Sequence, residues 1–398
     1  MTVAIRQAVI LVGGRGTRLG SLTDAIAKPL VDVAGRPFLD WLIEEVARFG
    51  VARITLLAGY KAESISARYA GRTVRGAGIE VLTEPEPLGT AGALALFADR
   101  LEPRFLLMNG DTLFPINLLD LALRSGETPL TLGLRRTAPG GRYGTVELSQ
   151  DGFVTGFRAR SPDRDGPISA GVYVFDRALV AEIEKGRNVS LEAEIFPRLA
   201  ASGRMRGALY DAPFIDIGIP ADLDRAQTEI PAMVRRPAAF LDRDGVLIAD
   251  DGYPHDPAAI RWVPGAAEAV KRLNDAGYYV FVVTNQAGVA RGLYDESQVH
   301  VVHRWMSGVL AESGAHVDAF EYCAHHPQAP LAQWRRDCRR RKPAPGMIED
   351  LLAHWPVDAG RSFLIGDKES DLAAARTAGL AAHLFAGPDL AAFLAGWL

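Results

Sequence analysis

The sequence predicts an α/β protein of two domains, each a sheet layered by helices. Three observations carry this prediction. At 398 residues the chain has the length of two or three domains. Short apolar runs of strand length alternate with helix-like stretches in both halves, the pattern of parallel sheets covered by helices. Between the halves, the segment 229–237 sets Pro231 and Pro237 around a short charged stretch, after a predicted helix and before a predicted strand. The predicted domains are therefore 1–232 and 233–398.

Composition narrows the class further. A hydrophobic content of 48% is ample for packed cores. A net charge of −4 gives no general attraction to nucleic acid or to an anionic membrane. No apolar run approaches membrane-spanning length, and residues 1–12 lack the features of a signal peptide, so a cytoplasmic location is expected. The only two cysteines, Cys323 and Cys338, imply no disulfide framework.

The first half opens with the apolar run Ala8–Val12, a predicted strand, followed directly by Gly13-Gly14-Arg15-Gly16-Thr17-Arg18-Leu19. Glycines let backbone amides wrap a phosphate, and arginines add forked hydrogen bonds. The loop is not a Walker A sequence, because no Lys-Ser or Lys-Thr follows at the required spacing. Nor is it a dinucleotide fingerprint, because Leu19 stands where the third glycine belongs. Further on, Phe105–Asp111 ends an apolar strand in a carboxylate, and Phe214–Gly218 repeats that arrangement around Asp216. Two strand-end carboxylates on separate segments suit a divalent cation held between phosphates. All eight histidines lie at or beyond His255, so this half has no imidazole base. A phosphate nucleophile is already an anion and needs none.

In the second half, Phe240-Leu241-Asp242-Arg243-Asp244-Gly245-Val246 delivers two carboxylates to a predicted strand end. Residues i and i+2 of an extended chain point the same way, so both can face one substrate. One can attack phosphorus while the other handles protons. Three later segments fit that chemistry: Val280–Gln286, ending around the Thr284 hydroxyl; Arg341-Lys342-Pro343, a cation before a helix-breaking proline; and Phe363–Asp371, a strand ending in Asp367. Each alone is equally a strand end, a solvated charge or a helix cap. All four in this order point to a site. Helices are predicted over 264–277 and 295–314, each closed by a glycine.

With those runs, the second half resembles the haloacid-dehalogenase superfamily of phosphatases, and more narrowly the small heptose-bisphosphate and histidinol-phosphate phosphatases. Thr284–Gly292, Cys323–Pro327, Arg341–Met347 and Gly366–Lys368 extend the match. The resemblance implies Asp242 as nucleophile, Asp244 as acid and then base, and Thr284 and Lys342 neutralising the phosphoryl oxygens. It implies Mg2+ on Asp242, the Asp244 carbonyl and Asp367. Substrate contacts would come from Asn285, Arg291, Arg341, Gly252 and Tyr253. The family's zinc loop pairs a Cys-x-His with a later Cys-x-Cys. Here Cys323, His325 and Cys338 match, while Arg340 occupies the last cysteine's place. Structural Zn2+ sites normally close with four ligands, and Asp337 or His326 are the candidates to complete this one.

The first half resembles the sugar-phosphate nucleotidyltransferases, the closest subfamily being the heptose 1-phosphate guanylyltransferases, which implies a Rossmann-like mixed sheet here beside a haloacid-dehalogenase-like parallel sheet in the second half. Leu88–Leu94, Arg142–Val146 and Ser169–Phe175 are the further matching runs. The implied reaction is attack by a sugar 1-phosphate on the α-phosphorus of a nucleoside triphosphate, GTP favoured, with release of pyrophosphate. Gly13, Gly14, Gly16, Thr17 and Arg18 would hold the triphosphate, Lys28 would sit near the reacting phosphates, and Gly89 and Thr90 near the base. Asp111 and Asp216 would carry Mg2+. The family's Glu-Lys pair contacting the sugar phosphate is replaced by Ala159-Arg160, leaving Arg160 as the candidate. Together the two resemblances imply a bifunctional enzyme that dephosphorylates heptose 1,7-bisphosphate and converts the 1-phosphate to a nucleotide sugar for a bacterial surface polysaccharide. The same reaction types on mannose 1-phosphate or histidinol phosphate, or one half silent and regulatory, are the alternatives.

Overall fold

Strand order rather than strand count is what builds the sites. The computed structural model describes residues 5–20, 22–137, 143–159 and 165–396, in two units, Met1–Val234 and Arg235–Leu398. In the first unit an eight-stranded sheet runs in the order Met205–Tyr210, Leu130–Thr137, Gly166–Asp176, Arg104–Asn109, Gln7–Leu11, Arg53–Ala58, Ala77–Thr83, Thr73–Val74. Its centre is parallel, while Gly166–Asp176 runs antiparallel to both its neighbours, so the sheet is mixed. Both faces are covered. Ala8 and Ile10 belong to one buried cluster and Val9 to the other, which is why the first strand reads as an unbroken apolar run.

The second unit has five parallel strands in the order Ala319–Cys323, Tyr279–Asn285, Ala238–Leu241, Phe363–Gly366, Ala381–Leu384. Alternate residues again face two cores, Ala239 and Leu241 on one side and Ala238 and Phe240 on the other. The predicted helices appear as Ala266–Asp275 and Glu296–Glu312, the second capped by the Asp295 side chain accepting from the Gln298 amide at 3.1 Å. Gly277 and Gly314 follow with positive φ. One element differs from expectation. The helix Pro220–Val234 continues through Pro231. Proline there removes one hydrogen bond of the closing turn, and buried Ile230 and Val234 keep that turn docked. No helix among the described residues is long and apolar enough to cross a membrane.

His303 lies on the buried face of Glu296–Glu312, its ring stacked on Phe320 with centroids 4.5 Å apart. Burial, aided by Arg243 and His300, pushes its pKa down to about 3. A folded value below the unfolded value of about 6.5 means that the histidine's contribution is complete above 6.5 and is lost as pH falls towards 3, by at most about 1.4 kcal/mol per pH unit. His303→Phe keeps the stack and removes the titration. Urea unfolding followed by tryptophan emission is expected to show wild type losing stability faster than the variant between pH 6.5 and 4.5. Parallel pH profiles would refute this.

Candidate active sites

In the first unit, register decides what meets. Leu11 lies beside both Leu57 and Asn109, so the segments following these three parallel strands gather at one sheet edge. Gly13, Gly14, Tyr60, Asp111, Lys28 and Glu192 are among the residues lining a cleft of about 550 Å³ there. Gly110 is obligatory, since a Cβ would stand 2.5 Å from the Leu11 carbonyl oxygen. Buried Lys28 forms an ion pair with Asp111. Asp216 reaches the same place through a second ladder. It pairs with Thr112, and the Ile217 amide donates to the Asp111 carbonyl at 3.0 Å. The Gly218 amide donates to Asp216 Oδ1 at 2.6 Å, and the Tyr143 hydroxyl to Oδ2 at 3.2 Å. Burial pushes the Glu192 carboxyl up, Asp111 and Asp216 add to the rise, and Arg18 opposes it. Asp111, Asp216, Glu192 and Arg18 thus share one field, and the two aspartates form a hard oxygen donor set that fits Mg2+.

Of the predicted nucleotide ligands, Gly13, Gly14, Lys28, Gly89 and Thr90 line the cleft. Gly16, Thr17 and Arg18 stand outside that lining. Gly16, at φ 67°, packs against Lys28, and Arg18 lies beside Gly218. Gly89 and Thr90 also have a structural task. A Cβ on Gly89 would meet the Val189 carbonyl oxygen at 2.5 Å, and the Thr90 hydroxyl accepts the Leu191 amide at 2.8 Å. Three carboxylates of the cleft were missed from sequence, Glu192, Glu84 and Glu86. Glu84 accepts the Leu88 amide at 3.1 Å, burial pushes its carboxyl up, and a Cβ on Gly13 would come within 2.9 Å of Oε1. The signal for Glu84 was its position four residues before Leu88-Gly89-Thr90. Arg160 lies outside the described residues.

In the second unit, Leu241 pairs with Val282 and Ile365, bringing Asp242, Thr284 and Asp367 to one edge. Lys342, 3% exposed, is the buried cation among them. Its Nζ stands 2.8 Å from Asp242 Oδ1 and 2.7 Å from Asp371 Oδ1, and donates to the Val283 carbonyl at 2.8 Å. Burial works to lower its pKa, but Asp242 and Asp371 outweigh it and hold the ammonium charged. Burial pushes the Asp242 carboxyl well above the usual range, Lys342 opposes this, and Asp371 and Asp244 reinforce it. Asp371 was also missed from sequence, although it stands four residues after Asp367 in the same run. Carboxylate oxygens of Asp242, Asp367 and Asp371 lie within 4.8 Å of one another. Asp367 Oδ1 is buried without a hydrogen-bond partner, and a Cβ on Gly245 would fall 2.4 Å from Asp367 Oδ2. An orphaned carboxylate oxygen over a glycine fits a hard divalent cation.

The Asp244 side chain turns towards Arg243, which donates Nε to Oδ1 at 2.7 Å. The Asn285 amide exchanges two hydrogen bonds with the Lys342 backbone, at 3.0 and 3.1 Å, which anchors the lysine segment. The Arg291 guanidinium lies 5.7 Å from the ring of Tyr253, which like Gly252 has positive φ. Burial lowers the Arg341 pKa and neighbouring Arg291 lowers it further. Two guanidinium groups close enough to repel suit a second anionic group of a substrate. Ligand atoms of Cys323, His325 and Cys338 also converge within 4.8 Å. His326 Nδ1 instead accepts the Gln328 amide at 3.0 Å, and Arg340 forms an ion pair with Glu321.

The geometry defines an α/β chain with two separate anion-handling sheet edges, and comparison with known proteins says of what kind. Residues 7–232 match the nucleotidyl transferase family model, more than half the chain, and the protein belongs to that family. Residues 339–387 match the HAD-hydrolase-like model. The chain is 35% identical over 227 residues to the D-glycero-alpha-D-manno-heptose 1-phosphate guanylyltransferase of Aneurinibacillus thermoaerophilus, covering 56% of this chain and 98% of that one. It is 51% identical over 160 residues to the D-glycero-beta-D-manno-heptose-1,7-bisphosphate 7-phosphatase of Rhodopseudomonas palustris, covering 40% and 89%. The crystal structure of HddC from Yersinia pseudotuberculosis complexed with GMP-PN superposes with a TM-score of 0.52 at 31% identity, covering 56% of this chain and 99% of that one. These relatives are enzymes, a nucleotidyltransferase matching the first unit and a phosphatase matching the second.

Gly245 offers a sharp check on the second edge. Its φ is 92° and it has no room for a Cβ. Gly245→Ala must displace Asp367 or strain the backbone by about 1–3 kcal/mol. Phosphate release is expected to fall at least about tenfold, with nucleotidyl transfer unchanged. Wild-type phosphate release would refute the placement.

Proposed function

We propose that this chain carries out two consecutive reactions, hydrolysis of the 7-phosphate of D-glycero-α-D-manno-heptose 1,7-bisphosphate and guanylyl transfer from GTP to the resulting heptose 1-phosphate. One observation carries the reading: the second unit resembles an enzyme that removes the 7-phosphate of a heptose 1,7-bisphosphate, and the first resembles one that acts on a heptose 1-phosphate. The matched relatives differ in anomer, beta for the phosphatase and alpha for the guanylyltransferase. Guanylyl transfer forms an O–P bond and leaves the C1–O bond intact, so the transferase fixes the anomer of the product. Hydrolysis occurs at C7, remote from C1. The alpha anomer therefore satisfies both units. GTP is supported by a carboxylate in the cleft, since guanine alone of the four bases presents N1–H and N2–H side by side, which Glu84 can accept. A cytoplasmic location follows from the need for GTP.

In the second unit, Asp242 attacks phosphorus and the ester P–O bond breaks, the leaving oxygen taking a proton from Asp244. Water then attacks the aspartyl-phosphate, giving its proton to Asp244. Phosphate leaves and Asp242 is restored. Lys342 and Thr284 hold the phosphoryl oxygens, and Arg291 and Arg341 hold the 1-phosphate. Asp242, Asp367 and the Asp244 carbonyl would hold Mg2+, which supplies charge neutralisation. In the first unit, an oxygen of the sugar 1-phosphate attacks the α-phosphorus and the Pα–O bond to pyrophosphate breaks. Lys28 and the Gly13-Gly14 amides stabilise the charge that develops, and Asp111 and Asp216 would hold Mg2+.

Mass spectrometry of products from either anomer of the 1,7-bisphosphate, supplied with four nucleoside triphosphates, tests the whole sequence. GDP-heptose from the alpha anomer is expected. Asp242→Asn should stop phosphate release and spare transfer to supplied heptose 1-phosphate, while Asp111→Ala should do the reverse. Loss of both activities in each variant, or another nucleotide sugar from wild type, would overturn the reading.

We also propose that Cys323, His325 and Cys338 bind Zn2+ as a three-donor set. Arg340, held by Glu321 and 3.5 Å from Asp350, does not supply the fourth donor. About one zinc per chain is expected in the purified protein, with tighter retention in Arg340→Cys. Metal-free wild type with full phosphatase turnover would show that packing alone holds the loop.

A further inference from the structure

The Gln286 side chain, 1% exposed, has every hydrogen-bonding position filled. Its Nε2 donates to Asp244 Oδ2 at 3.0 Å and to the Thr284 hydroxyl at 2.9 Å. Its Oε1 accepts Arg243 at 2.9 Å and the Tyr294 hydroxyl at 2.8 Å. Neither carboxamide atom is left for a substrate, so any effect on chemistry runs through the partners. Two of those partners, Asp244 and Thr284, are the acid and the phosphoryl-binding hydroxyl of the proposed phosphatase reaction. The backbone around the hub is fixed too. The Gln286 amide donates to the Cys323 carbonyl at 2.8 Å. Tyr294 is seated over Gly288, where a Cβ would come 2.3 Å from its ring, and it stacks on His255 at 4.8 Å.

We infer that Gln286 is a positioning residue for the general acid. It ties Asp244 to Thr284, so the proton donor and the hydroxyl gripping the phosphoryl group keep one fixed separation. Arg243 holds the other side of Asp244, through Nε to Oδ1 at 2.7 Å and a second nitrogen to Oδ2 at 3.1 Å. Asp244 thus has one aligned oxygen edge, and Gln286 sets its direction relative to phosphorus. Misalignment harms the step that protonates the leaving oxygen as the ester P–O bond breaks. It does little to that bond's cleavage when the leaving group departs as a stable anion.

This rests on the reading of the second unit as a phosphatase, and the test separates the two. Gln286→Met keeps the volume and removes the hydrogen bonds. First-turnover rates are compared on p-nitrophenyl phosphate, whose phenolate needs no proton, and on heptose 1,7-bisphosphate, whose alkoxide does. The variant should lose about 10²-fold on the sugar phosphate, and at least tenfold less on the aryl ester, where a burst of nitrophenolate precedes slow hydrolysis of the aspartyl-phosphate. Combined with Asp244→Asn, Gln286→Met should add nothing on the sugar phosphate, because the acid it positions is gone. Tyr294→Phe, which removes one donor to Gln286, should shift the same ratio less and serves if Gln286→Met fails to fold. Equal losses on both esters, or additive losses with Asp244→Asn, would overturn the inference. Nitrophenolate release that survives Asp242→Asn would instead overturn the phosphatase reading.

Discussion

A buried lysine set against aspartate at the carboxyl edge of parallel strands is the constraint on which each unit depends. Lys28 meets Asp111 in one, and Lys342 meets Asp242 and Asp371 in the other. The pairing matters because Lys28, and Asp242 beside Lys342, stand at buried positions where a lone charge is costly. Removing one partner of a fully buried pair, as Lys342 forms with Asp242 and Asp371, typically costs about 3–5 kcal/mol. The lysines therefore serve two ends at once. They make the carboxylates tolerable without substrate, and they are already in place when phosphoryl charge arrives. Asn285 shows the investment behind this arrangement, since its amide holds the Lys342 backbone.

Most of the fold was readable because it rests on local pattern. Unbroken apolar runs such as Ala8–Val12 and Val280–Val283 reported strands buried on both faces, and Asp295 and Gly314 marked the ends of one helix. Much of the site was readable for the same reason. A residue that directly follows a buried strand has one place to go, so Asp111, Asp242 and Asp367 were found from their neighbours alone. The mixed character of the first sheet followed from the family resemblance, since nothing in Gly166–Asp176 itself shows that it runs against its neighbours.

What stayed hidden depends on contacts between distant segments. Arg243, between two aspartates, carries no local signal of its place, and it is fully buried and bonded to Gln286. Gln286 follows Thr284 without any pattern of its own, and its four partners become visible only when strand, loop and helix are folded together. Gly89 lines the cleft, and its second task, packing against the backbone of Val189, likewise has no local pattern. The Glu229–Pro237 segment was read as following the helix because proline usually ends one. Tertiary packing of Ile230 and Val234 carried the helix past it.

Register has one further consequence. Asp242, the nucleophile of the proposed hydrolysis, reaches the sheet edge only because Leu241 stands beside Val282 and Ile365. A slip of the Ala238–Leu241 strand by one residue would exchange its two faces and bring Arg243, a cation, to the place of Asp242. Such a molecule would bind phosphate without any group able to attack it. Misassembled copies of this unit would therefore be inert sinks for anions, not enzymes of altered specificity, and errors in folding would lower the flux through the phosphatase without corrupting its product.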